Sequence, residues 1–385
     1  MYPDLSYLFH ALLGTEPDNW LSIFKTFGFF LLLAFLTAAT LLRSDLRRRE
    51  QIGQLKGEVV NRKPGDTVTV WDYVFNAILG FVLGYKIPYA LANLERWKAD
   101  PGSVLLTAEG WWWSGLLGAL LLGGYYVYLG QNQPKVEARN YTIYPSDRIG
   151  PITMMAAVGG ILGAKFFAII EYLPRFFEDP LGVLLSGDGL AIYGGLIGGA
   201  VAVTLYARKH GIKVLPLADA VAPGLIFAYG VGRLGCQLSG DGDWGISAGT
   251  QPDWWFLPDW TWSFTFPHNV IERGERIAGC TYDYCRELPE GVYPTSIYET
   301  VMAFTIGAIL WSLRERWTAL PGMLISLYLL LNGVERFFIE FIRINDPYTF
   351  WGMTLSQAQW IAIGFFVTGV VGLVYFSRAR SRVQG

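Results

Sequence analysis

Two groups of charged residues stand inside otherwise apolar sequence, and their types suit work on an anion. The first centres on Arg233, in the stretch that runs from Tyr229 to Gly245. Arginine offers a planar, permanently charged fork that matches a phosphate bidentately. Gly230, Gly232 and Gly235 leave little bulk around it, so a ligand or another backbone can approach closely. The segment Ser239-Gly240-Asp241-Gly242-Asp243 cannot continue a helix and is expected to fold over the site as turns. The second group is Glu335, Arg336, Glu340 and Arg343. Arg336 and Glu340 are four residues apart and therefore stack on one helical face. A charge inside a membrane span is expensive and usually faces a cavity or a partner. Tyr193, at the head of a glycine-rich run, and Tyr298 with Glu299, in the first turn after Pro294, add further polar groups. Each feature also has a structural reading. Arg233 can snorkel to an interface, an Arg336–Glu340 pair can simply lock helices, and the glycines around Tyr193 can serve close helix packing.

The elements that must position these residues are membrane helices. The chain has 385 residues, 52% hydrophobic and only 16% charged, against about 25% charged in ordinary soluble domains. Several nearly uncharged runs of about 20 residues can each cross a hydrocarbon core of about 30 Å. The expected spans are roughly 20–42, 71–93, 111–130, 150–172, 189–208, 216–236, 297–313, 320–342 and 359–377. Arg43, Arg47, Arg48 and Arg49 follow the first span and hold that loop in the cytoplasm. Arg139 and Arg148, Arg208 and Lys209, Arg314 and Arg316, and the tail from Arg378 make every other inside loop basic. The fold class is thus an all-α integral membrane protein of about nine transmembrane helices with a small periplasmic head, N-terminus outside and C-terminus cytoplasmic. The near-neutral net charge of -2 argues against nucleic acid as a partner. No cleavable signal peptide is expected, since the first apolar run is too long and follows Asp4, Glu16 and Asp18.

The long hydrophilic stretch 237–296 is the head. Its Trp244, Trp254, Trp255, Trp260 and Trp262 suit a lipid surface, where indoles settle. Cys280 and Cys285 lie there, either paired in an oxidising compartment or as free thiols. An internal repeat is also legible. Leu83-Gly84-Tyr85-Lys86 recurs as Leu162-Gly163-Ala164-Lys165, and Asp100-Pro101 as Asp179-Pro180, 79 residues on. Gly115 to Gly118 recurs as Gly195 to Gly198, 80 residues on. Each unit holds two spans, so both copies share one orientation, unlike the inverted repeats of many transporters. The chain divides into an N-terminal region (1–70) with the first span and its basic loop, an inserted repeat copy (71–148), core spans (149–236), the head (237–296) and C-terminal spans (297–385).

In this order along the chain stand Phe27-Gly28, Gly159 with Gly163-Ala164-Lys165, Tyr193-Gly194-Gly195-Leu196-Ile197-Gly198, and Leu217-Ala218-Asp219 with Ala222-Pro223. Then come Gly232-Arg233-Leu234-Gly235-Cys236, Tyr293-Pro294-Thr295-Ser296-Ile297-Tyr298-Glu299, and Arg336 with Glu340-Phe341-Ile342-Arg343. The series resembles the motifs of the prolipoprotein diacylglyceryl transferases, with order kept over nearly the whole chain. It departs from them at Tyr193 and Tyr293, where the family has histidines, at Cys236 for asparagine, and at Phe27 for tyrosine.

The resemblance implies an inner-membrane enzyme with its active site toward the outer leaflet. It would move the diacylglyceryl group of phosphatidylglycerol to the lipobox cysteine of a preprolipoprotein, with no cofactor and no metal. It also implies roles. Arg233, Arg336, Tyr193 and Glu340 would be catalytic. Arg233, Gly232, Gly235, Gly240 and Arg343 would hold the lipid phosphate, with Tyr298, Glu299, Lys165, Asp241 and Asp243 in support. The proton acceptor stays open. A neutral tyrosine, with a pKa near 10, is a poor base at pH 7, so Tyr193 hydrogen-bonds, or is tuned by a neighbouring arginine, or a carboxylate such as Glu340 acts instead. A related transferase with another acceptor and a non-enzymatic lipid-binding protein are the rival readings.

Overall fold

In a computed structural model of the chain, the described residues are 1–62, 70–99, 104, 107–131, 139–171, 173–180, 183, 192–345, 347–350 and 352–383. Asp100 and Pro101, two of the repeat's anchors, lie outside them. In chain order the elements begin with α1 (Leu5–Leu13), α2 (Thr26–Gln51), β1 (Glu58–Arg62), α3 (Val70–Ala92) and α4 (Leu94–Ala99). They continue with α5 (Trp112–Gln131), β2 (Arg139–Ile143), α6 (Ile149–Glu171), α7 (Leu173–Glu178), α8 (Ile192–Lys209) and α9 (Val214–Ser239). The last are β3 (Glu275–Arg276), β4 (Arg286–Glu287), α10 (Thr295–Leu313), α11 (Met323–Ile339), β5 (Pro347–Phe350), β6 (Met353–Ser356) and α12 (Gln357–Val383). Strands pair antiparallel only as β1–β2, β3–β4 and β5–β6 among the described residues.

Each of the nine expected apolar stretches folds as a helix. Six of these, α2, α3, α6, α9, α10 and α12, are long and apolar enough to cross a membrane; α5, α8 and α11 are the other three. Two boundaries move for clear reasons. The first span, expected over 20–42, instead opens with a 3-10 turn at Trp20–Ile23 and runs as a helix from Thr26 to Gln51. Its basic tail stays helical because Asp45 takes Arg48 at 2.7 Å and Arg49 at 2.6 Å, neighbours three and four residues on. The eighth, expected over 320–342, begins only at Met323, after Gly322 in a left-handed conformation (φ 98°). It tightens to a 3-10 turn at Glu340–Ile342.

The chain forms two compact units. The first holds residues 1–55 and 213–385. In it α9 packs against α2 and α10, and α11 against α12, over a core that includes Ala222, Ile226, Ala303, Leu310 and Leu324. The stretch 240–294 forms the head, with a small core of Trp244, Phe266, Leu288 and Val292 and a disulfide joining Cys280 to Cys285. The second unit, residues 56–212, contains two helix pairs, α3 with α5 and α6 with α8. Positions related by the sequence repeat do the same job in both. A Cβ on Gly84 would lie 3.1 Å from Gly118 Cα, and one on Gly163 would lie 2.8 Å from Gly198 Cα. The helices approach through bare backbone in each pair, as membrane helices held by van der Waals packing do.

Asp219 explains where α11 starts. Its buried carboxylate, on α9, accepts from Gly322 N at 2.8 Å and Ile325 N at 2.9 Å, two of the donors that every helix start leaves without an intrahelical partner. Asp219→Ala orphans both and should cost about 1–3 kcal/mol. The thermal midpoint of the detergent-solubilised protein is expected to fall, and Asp219→Asn to fall less; an unchanged midpoint for the alanine variant would contradict this role.

Candidate functional site

Three helices of the first unit bring their charges to one end of the bundle. Arg233 sits two turns before the end of α9, Glu299 in the first turns of α10, and Arg336 near the end of α11, with Glu340 opening the 3-10 turn beyond and Arg343 just after it. Glu299 is fully buried, and all three arginines converge on it: Arg233 through Nε, Arg336 Nη1 at 3.3 Å and Arg343 Nη1 at 2.9 Å. Asp243 reaches in from the head and pairs with Arg233 Nη1 and with Arg343 Nη2, the latter at 3.0 Å. Glu340 closes the ring on Arg336 Nη2 at 3.1 Å. Three arginines and three carboxylates thus make a charge-balanced cage.

The turn-forming segment folds over this cage as the sequence suggests. Gly240 ends α9 in a left-handed conformation (φ 64°), and a Cβ there would come within 2.9 Å of Asn269 Cβ. It stops the helix and lets Asn269 of the head come close. Gly235 lets α2 come close, since a Cβ would lie 2.7 Å from Phe30 Cβ, whereas Gly232 borders open space. Asp243 is pinned from behind. Its carbonyl accepts from Thr295 Oγ1 at 2.8 Å and Ser296 Oγ at 3.1 Å, both in the first turn of α10. Tyr298 points elsewhere, donating to Thr261 O at 2.6 Å, so it ties the head to α10.

The cage retains one open donor. Arg233 Nη2 is buried, and among the described residues it meets no acceptor. That donor is uncommitted, so Arg233 can meet an anion through it without first giving up a carboxylate. Cys236, Asp241 and Asp243 also bring possible ligand atoms within 4.8 Å of one another. Asp243 is engaged by two guanidinium groups, however, and Cys236 Sγ lies 3.5 Å from Arg233 Nη1, so positive side chains already occupy the place of a cation.

Arg233, Arg336, Glu340, Arg343, Glu299 and Asp243 are brought together, and Asp241 lies beside them, its Oδ1 accepting from Asp243 N at 3.2 Å. Tyr193, half-buried at the start of α8, and Lys165 on α6 belong to the second unit. Sequence reading missed Asn345 and Ser356, which hold Glu340 Oε1 at 2.5 Å and 2.8 Å. Asn345 reaches back across five residues just beyond the 3-10 turn, whereas Ser356 arrives only when the chain folds back as the β5–β6 hairpin.

The two head carboxylates titrate in opposite senses. Burial alone would raise Asp243, but Arg233 and Arg343 outweigh it and hold the carboxyl below its usual range. Asp241 is raised, chiefly by burial. A raised acid is harder to ionise folded than unfolded, so at neutral pH Asp241 opposes folding, and the penalty disappears as pH falls through its folded pKa to below the unfolded value of about 4. Asp241→Asn keeps the Oδ1 acceptor and removes the charge. The variant should be more stable than the parent at pH 7 and equal to it at about pH 3.5 in paired thermal melts; a pH-independent difference would contradict the assignment.

The prolipoprotein diacylglyceryl transferase family model matches residues 118–375. The chain is similar to a protein of Clostridium perfringens named phosphatidylglycerol–prolipoprotein diacylglyceryl transferase 2, at 32% identity over 232 residues, covering 59% of this chain and 78% of the relative. It is similar to the phosphatidylglycerol–prolipoprotein diacylglyceryl transferase of Clostridium tetani, at 30% over 256 residues, covering 63% and 84%. It is also similar to that of Hydrogenovibrio crunogenus, at 27% over 275 residues, covering 69% and 91%. With two thirds of its length under the family model, the chain belongs to the prolipoprotein diacylglyceryl transferase family.

Proposed function

We propose that this chain transfers the diacylglyceryl group of phosphatidylglycerol to the lipobox cysteine thiol of a preprolipoprotein, the first step of lipoprotein maturation, and that the arginine cage is its active site. The observation that carries the site is the convergence of Arg233, Arg336 and Arg343 on the buried Glu299. The reaction is a displacement at carbon in which a phosphate monoester leaves. Cations fixed in a low-dielectric setting stabilise the charge that develops on the leaving oxygens, and each charge-assisted contact contributes about 1.5–3 kcal/mol. Arg233 Nη2 provides the first contact. Arg336, nearly a quarter exposed at its side chain, provides the second, oriented by Glu340 from one turn away. Tyr193 acts as a hydrogen-bonding group and Lys165 supports it, as the family motifs they belong to imply.

The protein lies in the bacterial inner membrane with all nine helices spanning, its N-terminus outside and the cage toward the outer leaflet. The head rests on the lipid surface. In support, Trp255 and Trp262 bind their indole N–H to Thr261 and Gly249, while Trp254 and Phe256 stand 70% and 91% exposed. That is a rigid loop presenting apolar rings at the level of the tie from Tyr298, as interfacial aromatics do. A second reading, the same lipid donor with a different acceptor, draws on Cys236, which puts a buried thiol against Arg233.

Arg233→Ala should abolish or nearly abolish transfer of radiolabelled lipid to a lipobox peptide while the protein still inserts. Arg233→Lys should also fail substantially, because a point charge cannot replace a fork. Normal turnover by the purified alanine variant would overturn the site. Complementation of a strain depleted of its own transferase separates the two acceptor readings.

The segment 71–148 is read as an inserted repeat copy that packs around the second copy, because the second copy leads directly into the Arg233 span. Trp113 stands where Tyr193 stands in the second copy, 80 residues on, and an indole donates but cannot accept. Tyr193→Phe and Lys165→Ala should therefore impair transfer, and Trp113→Phe and Lys86→Ala leave it near normal. Equal loss in both sets at normal protein levels would show that the copies share the site.

A further inference from the structure

Glu335 is the buried acid that the cage leaves out. It precedes Arg336 on α11 and is 4% exposed. Among the described residues neither of its carboxylate oxygens meets a hydrogen-bond donor. The charges acting on it include Glu299 on α10, Arg336 on its own helix, Arg233 on α9 and Arg343 beyond the 3-10 turn. Tyr229 and Tyr328 are the neighbouring hydroxyls.

The other carboxylates are engaged. Glu299 faces three arginines and Asp243 two. Glu340 accepts from Asn345 and Ser356 and pairs with Arg336, which leaves it poorly placed to take a proton. The cage balances its charge without Glu335. A residue kept to lock helices would hold a partner, and one kept to fill space would be apolar, whereas buried polar groups without partners are rare and recur at catalytic positions.

We propose that Glu335 is the proton acceptor for the acceptor thiol in the transfer reaction. The inference rests on the function proposed above. As the S–H proton passes to a carboxylate oxygen of Glu335, the freed electron pair on sulfur forms a C–S bond to the terminal glycerol carbon of the diacylglyceryl group. The C–O bond from that carbon to phosphate breaks, and its electron pair leaves on the phosphate oxygen held by the arginines. Glu335 then returns its proton to the departing phosphate monoester and is restored. Placing the acceptor beside the cations that hold the leaving group couples the two ends of the displacement.

The test uses full-length protein in phosphatidylglycerol vesicles with two lipobox peptides, one bearing cysteine and one selenocysteine, whose selenol is ionised at neutral pH and needs no base. Glu335→Gln should lower kcat with the cysteine peptide by about 10²- to 10⁴-fold without changing KM for the lipid, and the selenocysteine peptide should restore most of the rate. Equal loss with both peptides, or normal rates with both, would overturn the role. Should the glutamine variant not accumulate, Glu335→Asp carries the same comparison: a reduced cysteine rate with selenol recovery supports the role, and acceptor-independent loss overturns it. Failure of the unsubstituted protein to modify either peptide would instead overturn the proposed function, and this inference with it.

Discussion

A fully buried carboxylate, Glu299, with three arginines around it sets the terms for the first unit. Charges taken out of water are tolerable only when paired, and removing one partner of a buried pair costs about 3–5 kcal/mol. Because the partners come from α9, α10, α11 and the segment beyond it, none of these elements can shift without leaving a charge exposed to apolar surroundings. Asp243 extends the constraint to the head, since it is held by two of the same arginines and by the first turn of α10. The cage is thus a fastening that also holds its guanidinium donors in fixed positions.

The opposite end of the same bundle is fastened by similar means. Asp45 gathers Arg48 and Arg49, and Arg48 Nη1 reaches Thr318 at 2.7 Å in the turn between α10 and α11. Asp219 caps α11 close by. Between the two polar ends the contacts are apolar, built on Ala222, Ile226, Ala303 and Leu310. Arg49, among the largest fully buried side chains, shows that the basic cluster after the first apolar run also takes a share in the packing.

The second unit is assembled on a different principle. Its helix pairs carry few charges in their contact, and glycines set the separation at Gly84 and Gly118 in one pair and at Gly163 and Gly198 in the other. Where lipid already satisfies apolar surface, close backbone approach supplies the attraction. A unit joined this way adds apolar helices without adding buried charge to their contacts.

Sequence alone determined the helical stretches, because apolar runs with basic flanks admit few alternatives in a membrane. It also marked every member of the arginine cage, since an arginine or glutamate in such a run is conspicuous by type. Partnership was another matter. The spacing of Arg336 and Glu340 announced their contact, yet Glu299 and Arg233 are 66 residues apart, and no local periodicity says that three helices meet at one carboxylate. The glycines near Arg233 were legible as small residues, but only packing divided them into Gly235 for α2, Gly240 for the helix stop and Gly232 beside open space. Asn345 and Ser356 stood unremarked, and Glu335 looked like one more member of a charged group. Long-range folding decided which carboxylates found arginines and which one did not, because burial and pairing depend on where helices cross rather than on the order of residues along the chain.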